Sequence, residues 1–187
     1  IARALDLENH QKDVGNAYLN AAVTEEIYMH QPQGYKMRSN TGDELVCKLK
    51  RGLYGLKQAG RNWNDLIDKW LQHGDLKMKR CLSDYCLYYK RTGEGKLLII
   101  GLYVDDLIIL SNCTQTLSNF KAAISKSFKM KDMGELKWIL GMEVKRDRNK
   151  RILHLNQEKY IRDILTTFQM QNAHNVKMPI ATGARLS

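Results

Sequence analysis

Apolar positions along this chain recur with two periods, and the changes between them mark out its elements. Trp63, Leu66, Ile67, Trp70 and Leu71 fall at i, i+3, i+4, i+7 and i+8, one face of a helix, with Asp65, Asp68 and Lys69 off it. Both tryptophans are expected to anchor the core rather than to touch a ligand. A second helix is predicted over residues 117–127, burying Leu117, Phe120 and Ile124. A third starts at Asn156 as its N-cap and uses Ile161, Ile164, Leu165 and Phe168. Residues 85–90 and 97–110 read as strands around a turn at Thr92-Gly93-Glu94-Gly95. A short strand is expected at Val46-Cys47-Lys48-Leu49, after a polar stretch of turns that includes Gln31-Pro32-Gln33-Gly34 and Asn40-Thr41-Gly42-Asp43. Residues 138–144 read as one apolar strand carrying Gly141, with residues 152–155 pairing back across the charged turn Asp147-Arg148-Asn149-Lys150. Hairpins supply most of the connections, so the expected class is α+β, an antiparallel sheet with helices packed on one face.

One interruption of this pattern changes the picture. Residues 97–110 are rich in Leu and Ile on both phases, as in a hairpin buried on both sides, yet Asp105 and Asp106 stand in the middle. An unpaired buried carboxylate loses several kcal/mol of hydration, so such a pair calls for a cation or for close donors. A hairpin tip at Val104-Asp105-Asp106 would hold both in place, as a divalent metal requires. Asp pairs are also ordinary turn residues, and this stretch alone leaves both readings open. A further carboxylate tips the balance. Asp13, in Lys12-Asp13-Val14-Gly15-Asn16-Ala17-Tyr18-Leu19, sits at an expected strand end before a glycine turn. Two-metal sites draw carboxylates from separate elements onto ions about 3.5–4 Å apart, and Asp13, Asp105 and Asp106 form a candidate set.

Size and charge narrow the class. The chain has 187 residues, 43% hydrophobic and 27% charged, enough for one globular domain or a domain and the start of another. The 97–110 run is too short to span a bilayer. The start has no signal-peptide pattern and no initiator Met, so an excised segment of a longer protein is expected. Thirty Lys and Arg against twenty Asp and Glu leave +10, compatible with a polyphosphate partner but weak by itself. Cys47, Cys81, Cys86 and Cys113 have neither zinc-ribbon nor disulfide-framework spacing and are expected to be reduced structural thiols.

Nine short motifs now fall in order. They are Asp13-Val14-Gly15-Asn16-Ala17-Tyr18-Leu19-Asn20, Glu26-Ile27-Tyr28-Met29, Gln31-Pro32-Gln33-Gly34-Tyr35, Cys47-Lys48-Leu49-Lys50 and Leu53-Tyr54-Gly55-Leu56-Lys57-Gln58-Ala59. Ser83-Asp84-Tyr85-Cys86-Leu87-Tyr88, Tyr103-Val104-Asp105-Asp106, Leu140-Gly141-Met142-Glu143-Val144 and Gln157-Glu158-Lys159-Tyr160 follow. In this order and spacing the chain resembles the reverse transcriptase of copia-type LTR retrotransposons over nearly its whole length.

The resemblance implies an RNA-directed DNA polymerase with the palm over residues 1–155, partial fingers at about 21–50, and the start of the thumb or connection over 156–187. It implies two Mg2+ ions, with Mn2+ a possible substitute, bridged by Asp13 and Asp105. Asp106 would adjust the site or reach the metal on the primer hydroxyl, and Val14 would offer its carbonyl. Gly15, Tyr18, Tyr54 and Gly55 would line the nucleotide site, with Tyr18 under the sugar to exclude a 2′-hydroxyl. Leu140, Gly141 and Met142 would position the primer end. Lys129, Lys131 and Lys137 all qualify by position as proton donor to pyrophosphate. The implied partners are an RNA or DNA template with its primer, dNTPs, and the integrase, fingers and RNase H of a Pol polyprotein. No membrane is involved, and the implied setting is intracellular, in cytoplasmic virus-like particles.

Three departures from the family pattern stand out. Lys12 occupies a core-face position that is usually apolar, and is expected to snorkel or to disturb packing. Ala21-Ala22 replaces a more turn-like pair, and Gly60 stands where Pro is common. With the basic fingers strands expected upstream of this chain, a catalytically inactive nucleic-acid-binding remnant is the alternative reading. A metal-dependent nuclease also suits paired acids on a basic chain, but has no need of the Tyr54 and Leu140 motifs.

Overall fold

A computed structural model describes residues 1–92, 94–174 and 180. It divides into two compact units, Ile1–Leu136 and Lys137–Ser187.

The first unit runs β1 (Glu8–Val14), a 3-10 turn (Ala17–Asn20), β2 (Tyr28–His30), β3 (Val46–Lys48), α1 (Ala59–His73), β4 (Lys79–Arg80), β5 (Leu87–Arg91), β6 (Leu97–Tyr103), β7 (Asp106–Ser111), α2 (Thr114–Ser127) and β8 (Met130–Glu135). Six strands form one sheet in the order β4-β5-β6-β7-β1-β8, each pair antiparallel, while β2 and β3 make a separate hairpin. The period of two that the Leu and Ile run conceals becomes visible here. Leu98, Ile100, Leu102, Leu107 and Ile109 are buried together with Trp63, Ile67 and Leu71 of α1 and Leu117, Phe120 and Ile124 of α2. Ile99, Ile108 and Leu110, on the opposite phase, stay half-buried. The sheet is therefore covered by helices on one face, as expected, rather than buried equally on both.

Both tryptophans anchor that core. Trp63 packs edge-on against Phe128 at 5.4 Å, and Trp70 against Phe120 at 6.3 Å and Phe128 at 5.9 Å. Each such burial stabilises the fold by roughly 2–3 kcal/mol. Leu66 belongs to the helical pattern but remains exposed.

Lys12 corrects half of an expectation. It is 3% exposed and does not snorkel to solvent, while the β1–β8 register shifts between Gln11 and Lys12. Across β1 and β8 it pairs in register with Asp132, and its Nζ lies 3.9 Å from the Asp132 carboxylate. Lys121 of α2 reaches the same carboxylate at 2.8 Å and also donates to His10 Nδ1 at 2.8 Å. Burial lowers the Lys12 pKa, opposed by the Asp132 charge and reinforced by that of Lys121, and burial followed by the Lys121 charge likewise lowers that of His10.

The second unit holds β9 (Trp138–Ile139), β10 (Met142–Asp147), β11 (Ile152–Asn156) and α3 (Glu158–Thr167). Its three strands form an antiparallel sheet in the order β11-β10-β9. The pairing of residues 152–155 across the charged turn is observed, but the single strand over 138–144 is not. Leu140 and Gly141 both take positive φ, 49° and 76°, and fold the segment into a two-residue hairpin with Ile139 opposite Met142. At the start of α3 the cap position falls on Gln157, although Asn156 Oδ1 still accepts from the Glu158 N–H at 3.3 Å. Phe168 lies just past the helix end, and α3 has no buried residue.

Candidate active site

The site forms where β1 and the β6–β7 hairpin end side by side. β6 stops at Tyr103 and β7 resumes at Asp106, so the loop is the two residues Val104-Asp105, and Asp106 already belongs to the strand. A two-residue hairpin with positive φ at its first central position favours glycine there. This chain has Val104 at φ 53°, an unfavourable conformation for a β-branched side chain. Two hydrogen bonds hold the loop. Trp63 Nε1 donates to the Val104 carbonyl at 2.6 Å, and the Val14 N–H donates to the Asp105 carbonyl at 2.8 Å. Asn tolerates left-handed backbone, so Val104→Asn is expected to raise stability by about 1 kcal/mol in thermal unfolding.

The register sets Asp13 directly opposite Asp106. Like charges facing one another across strands repel. The carboxyl of Asp13 carries the result, its pKa raised by burial, then by Asp105 and Asp106, and only partly offset by Lys131. Lys131 is the residue opposite Asp13 on β8, whereas Lys129 contributes its backbone carbonyl to the Gly15 N–H at 2.9 Å. That contact accounts for Gly15, since a Cβ there would stand 3.3 Å from the same carbonyl.

Tyr18 and Tyr54 meet with ring centroids 4.4 Å apart and planes tilted by 41°. The Tyr54 hydroxyl lies 3.5 Å from Asp105 Oδ2, at the outer limit of a hydrogen bond. Burial, then the Asp105 charge, then Tyr18 push the Tyr54 phenol up. Gly55 has φ 97° with open space around its Cβ position, so its backbone conformation is what calls for glycine.

The structure thus brings Asp13, Val14, Gly15, Tyr18, Tyr54, Gly55, Asp105 and Asp106 together in the first unit. Leu140, Gly141 and Met142 belong to the second, at the tip of the β9–β10 hairpin. Gln11 and the indole of Trp63 were missed as site residues. Gln11 carried a signal, because it lies two residues before Asp13 and so on the same strand face. Trp63 carried none beyond its helical spacing.

Among the described residues, no three His, Cys, Asp or Glu side chains close into a ready cage for a metal. The donor chemistry nevertheless suits a hard divalent cation: neighbouring carboxylate oxygens, with the Asp13 carboxyl raised by burial and then by the Asp105 and Asp106 charges. Mg2+ is ordinarily held by one or two carboxylates together with waters and substrate phosphates, not by an all-protein cage. No helix of the described residues is long and apolar enough to cross a membrane, and the four cysteines are free.

Residues 1–182 match the family model described as reverse transcriptase (RNA-dependent DNA polymerase). The chain is 42% identical over its full length to the retrovirus-related Pol polyprotein from transposon TNT 1-94 of Nicotiana tabacum, of which it covers 14%. It is 37% identical over 95% of its length to the corresponding polyprotein from transposon RE1 of Arabidopsis thaliana, covering 12% of that protein. A putative transposon Ty5-1 protein of Saccharomyces cerevisiae is 33% identical over 80% of the chain, with 46% of the yeast protein covered. No solved structure matches. The chain spans about one seventh or less of the two plant polyproteins. It belongs to the reverse transcriptase family, in the branch carried by the Pol polyproteins of copia-type retrotransposons.

Proposed function

We propose that this chain is the palm segment of an RNA-directed DNA polymerase that adds deoxynucleotides to a primer 3′-hydroxyl. The observation that carries the reading is the convergence of Asp13, Asp105 and Asp106 beside the Tyr18–Tyr54 pair. In this reading the palm occupies residues 1–155, with partial fingers near 21–50, and the thumb or connection begins at 156.

Asp13 and Asp105, with the Val14 carbonyl, would hold two Mg2+ ions, for which Mn2+ could substitute. When bound, these supply Lewis acidity at the primer hydroxyl and neutralise the triphosphate. Asp106 steers the carboxylate set from the strand side. Tyr18, backed by Tyr54, lies under the incoming sugar, and Gly55 lets backbone come close to the nucleotide. Lys131, opposite Asp13 on the neighbouring strand, would supply a proton to pyrophosphate. Leu140, Gly141 and Met142 hold the primer end. The partners are an RNA or DNA template with primer, dNTPs, and the fingers, integrase and RNase H of the polyprotein, within cytoplasmic virus-like particles.

The test is primer extension on poly(rA) primed with oligo(dT), in Mg2+ or Mn2+. Extension supports the reading, whereas salt-sensitive duplex binding without extension, even with fingers strands added upstream, supports an inactive remnant. Cleavage of the duplex without dNTPs favours a nuclease. In an active chain, Tyr18→Ala is expected to raise ribonucleotide incorporation roughly ten- to a hundredfold, read from the ratio of rNTP to dNTP kcat/KM.

A further inference from the structure

Gln11 stands two residues before Asp13 on β1, so the two side chains leave the same face of the sheet. Across the strand pair Asp13 faces Asp106, and Gln11 faces Ile108. The diagonal from Gln11 leads to Asp106, and Gln11 Nε2 donates to Asp106 Oδ1 at 2.7 Å in a partly buried hydrogen bond.

We infer that Gln11 is a positioning residue for the third carboxylate. By holding Oδ1 it stops the Asp106 carboxylate from rotating and fixes the direction in which Oδ2 is presented beside Asp13. The inference rests on the polymerase reading above and assigns a determinant of metal affinity within that site.

The choice of side chain follows from the charges around it. A carboxamide orients a carboxylate without adding positive charge, so it does not compete with a cation for the same oxygens. Lys or Arg would neutralise the cluster, and Glu would add a fourth repelling carboxylate. Length matters as well, because a diagonal pair lies about 7–8 Å apart along the sheet. Asn, one methylene shorter, does not span it. Gln11 is half-buried and outside the packed core, so replacing it leaves the fold in place.

The experiment measures Mn2+ binding by electron paramagnetic resonance for wild type, Gln11→Met, Gln11→Asn, Asp106→Asn and the double variant Gln11→Met/Asp106→Asn. Primer extension is titrated with Mg2+ in parallel. Gln11→Met keeps the length and removes the donor, whereas Gln11→Asn keeps the donor and removes the reach. Both are expected to weaken Mn2+ binding and raise the Mg2+ half-saturation about two- to tenfold. The KM for dNTP at saturating Mg2+ should stay unchanged. In the Asp106→Asn background, Gln11→Met is expected to have no further effect. Unchanged metal affinity in both single variants, or additive effects in the double variant, would overturn the inference and leave the polymerase reading standing. A wild-type chain that binds no Mn2+ even with primer, template and dNTP present would overturn both. Binding without extension still tests the inference, through the Mn2+ titration.

Discussion

Asp105→Asn is expected to reduce primer extension by at least about a thousandfold at saturating Mg2+, with the chain melting no lower than wild type. The first half follows from what the carboxylate is for. A cation at a transferring phosphoryl group supplies several kcal/mol of transition-state stabilisation, and about 4 kcal/mol corresponds to three decades in rate. Asp105 occupies the loop between β6 and β7. In the proposed reading, an amide there keeps the size and gives up the charge that would hold the ion. The second half follows from repulsion. Asp13 faces Asp106 across the strand pair, and its carboxyl is raised by burial first and then by the Asp105 and Asp106 charges.

Asp13→Asn should therefore also abolish extension while raising the melting temperature by roughly 1–2 °C at neutral pH and low salt. The sign can be checked by titration. A carboxyl with a raised folded pKa gives stability that is fully present below its ordinary value of 3.8 and is lost as pH rises through the folded value. The stability difference between Asp13→Asn and wild type should accordingly shrink on acidification toward 3.8. A melting temperature that drops sharply in either variant would mean that the carboxylates support the fold, and the reading of mutual repulsion would fail.

The second large effect lies behind the site. Asp132→Ala is expected to destabilise the chain by about 2 kcal/mol, a fall of roughly 4–8 °C in melting temperature. Lys12 is 3% exposed, and Asp132 is the carboxylate that faces it. Removing that carboxylate leaves Lys12 and Lys121 as uncompensated, repelling charges. Stripping one partner from a fully buried pair costs roughly 3–5 kcal/mol. The smaller figure reflects an Asp132 side chain that is 44% exposed and partly screened. Lys12→Met, which removes the buried charge itself, should be neutral or stabilising.

The pH response again separates the causes. Burial tends to raise the Asp132 pKa, but hydrogen bonds from Lys121 and the Gly134 N–H, with the Lys12 charge, bring it below the ordinary value. Its contribution is present above 3.8 and is lost as pH falls through the lower folded value, opposite in sign to that of Asp13. Equal losses of stability from Lys12→Met and Asp132→Ala, measured by denaturant unfolding, would show that the ion pair stabilises the fold outright.

The helices were legible because their signal is local. Trp63, Ile67 and Leu71 repeat on one face over a few residues, as do Leu117, Phe120 and Ile124, and both faces are buried as expected. The break at residues 138–144 was missed, since Leu140 is a poor candidate for positive φ and Gly141 beside it was read as part of an apolar strand. Lys12 was misjudged for a related reason. Its partner Asp132 lies on a strand 120 residues away in sequence (132 − 12), and the strand pairing that joins them leaves no local trace.

The sequence by itself determined the family of this protein, through motifs ordered closely enough to identify it, and singled out three aspartates and two tyrosines as candidate chemistry. It also determined the elements whose apolar period can be read over one or two turns. Only the tertiary structure decided who faces whom. The β1–β7 register sets Asp13 against Asp106 and gives Gln11 its hold on Oδ1, and α1 brings the Trp63 indole under a strained Val104. Side-chain type is written residue by residue, whereas a one-residue change of register would turn every one of these side chains to the other face of the sheet.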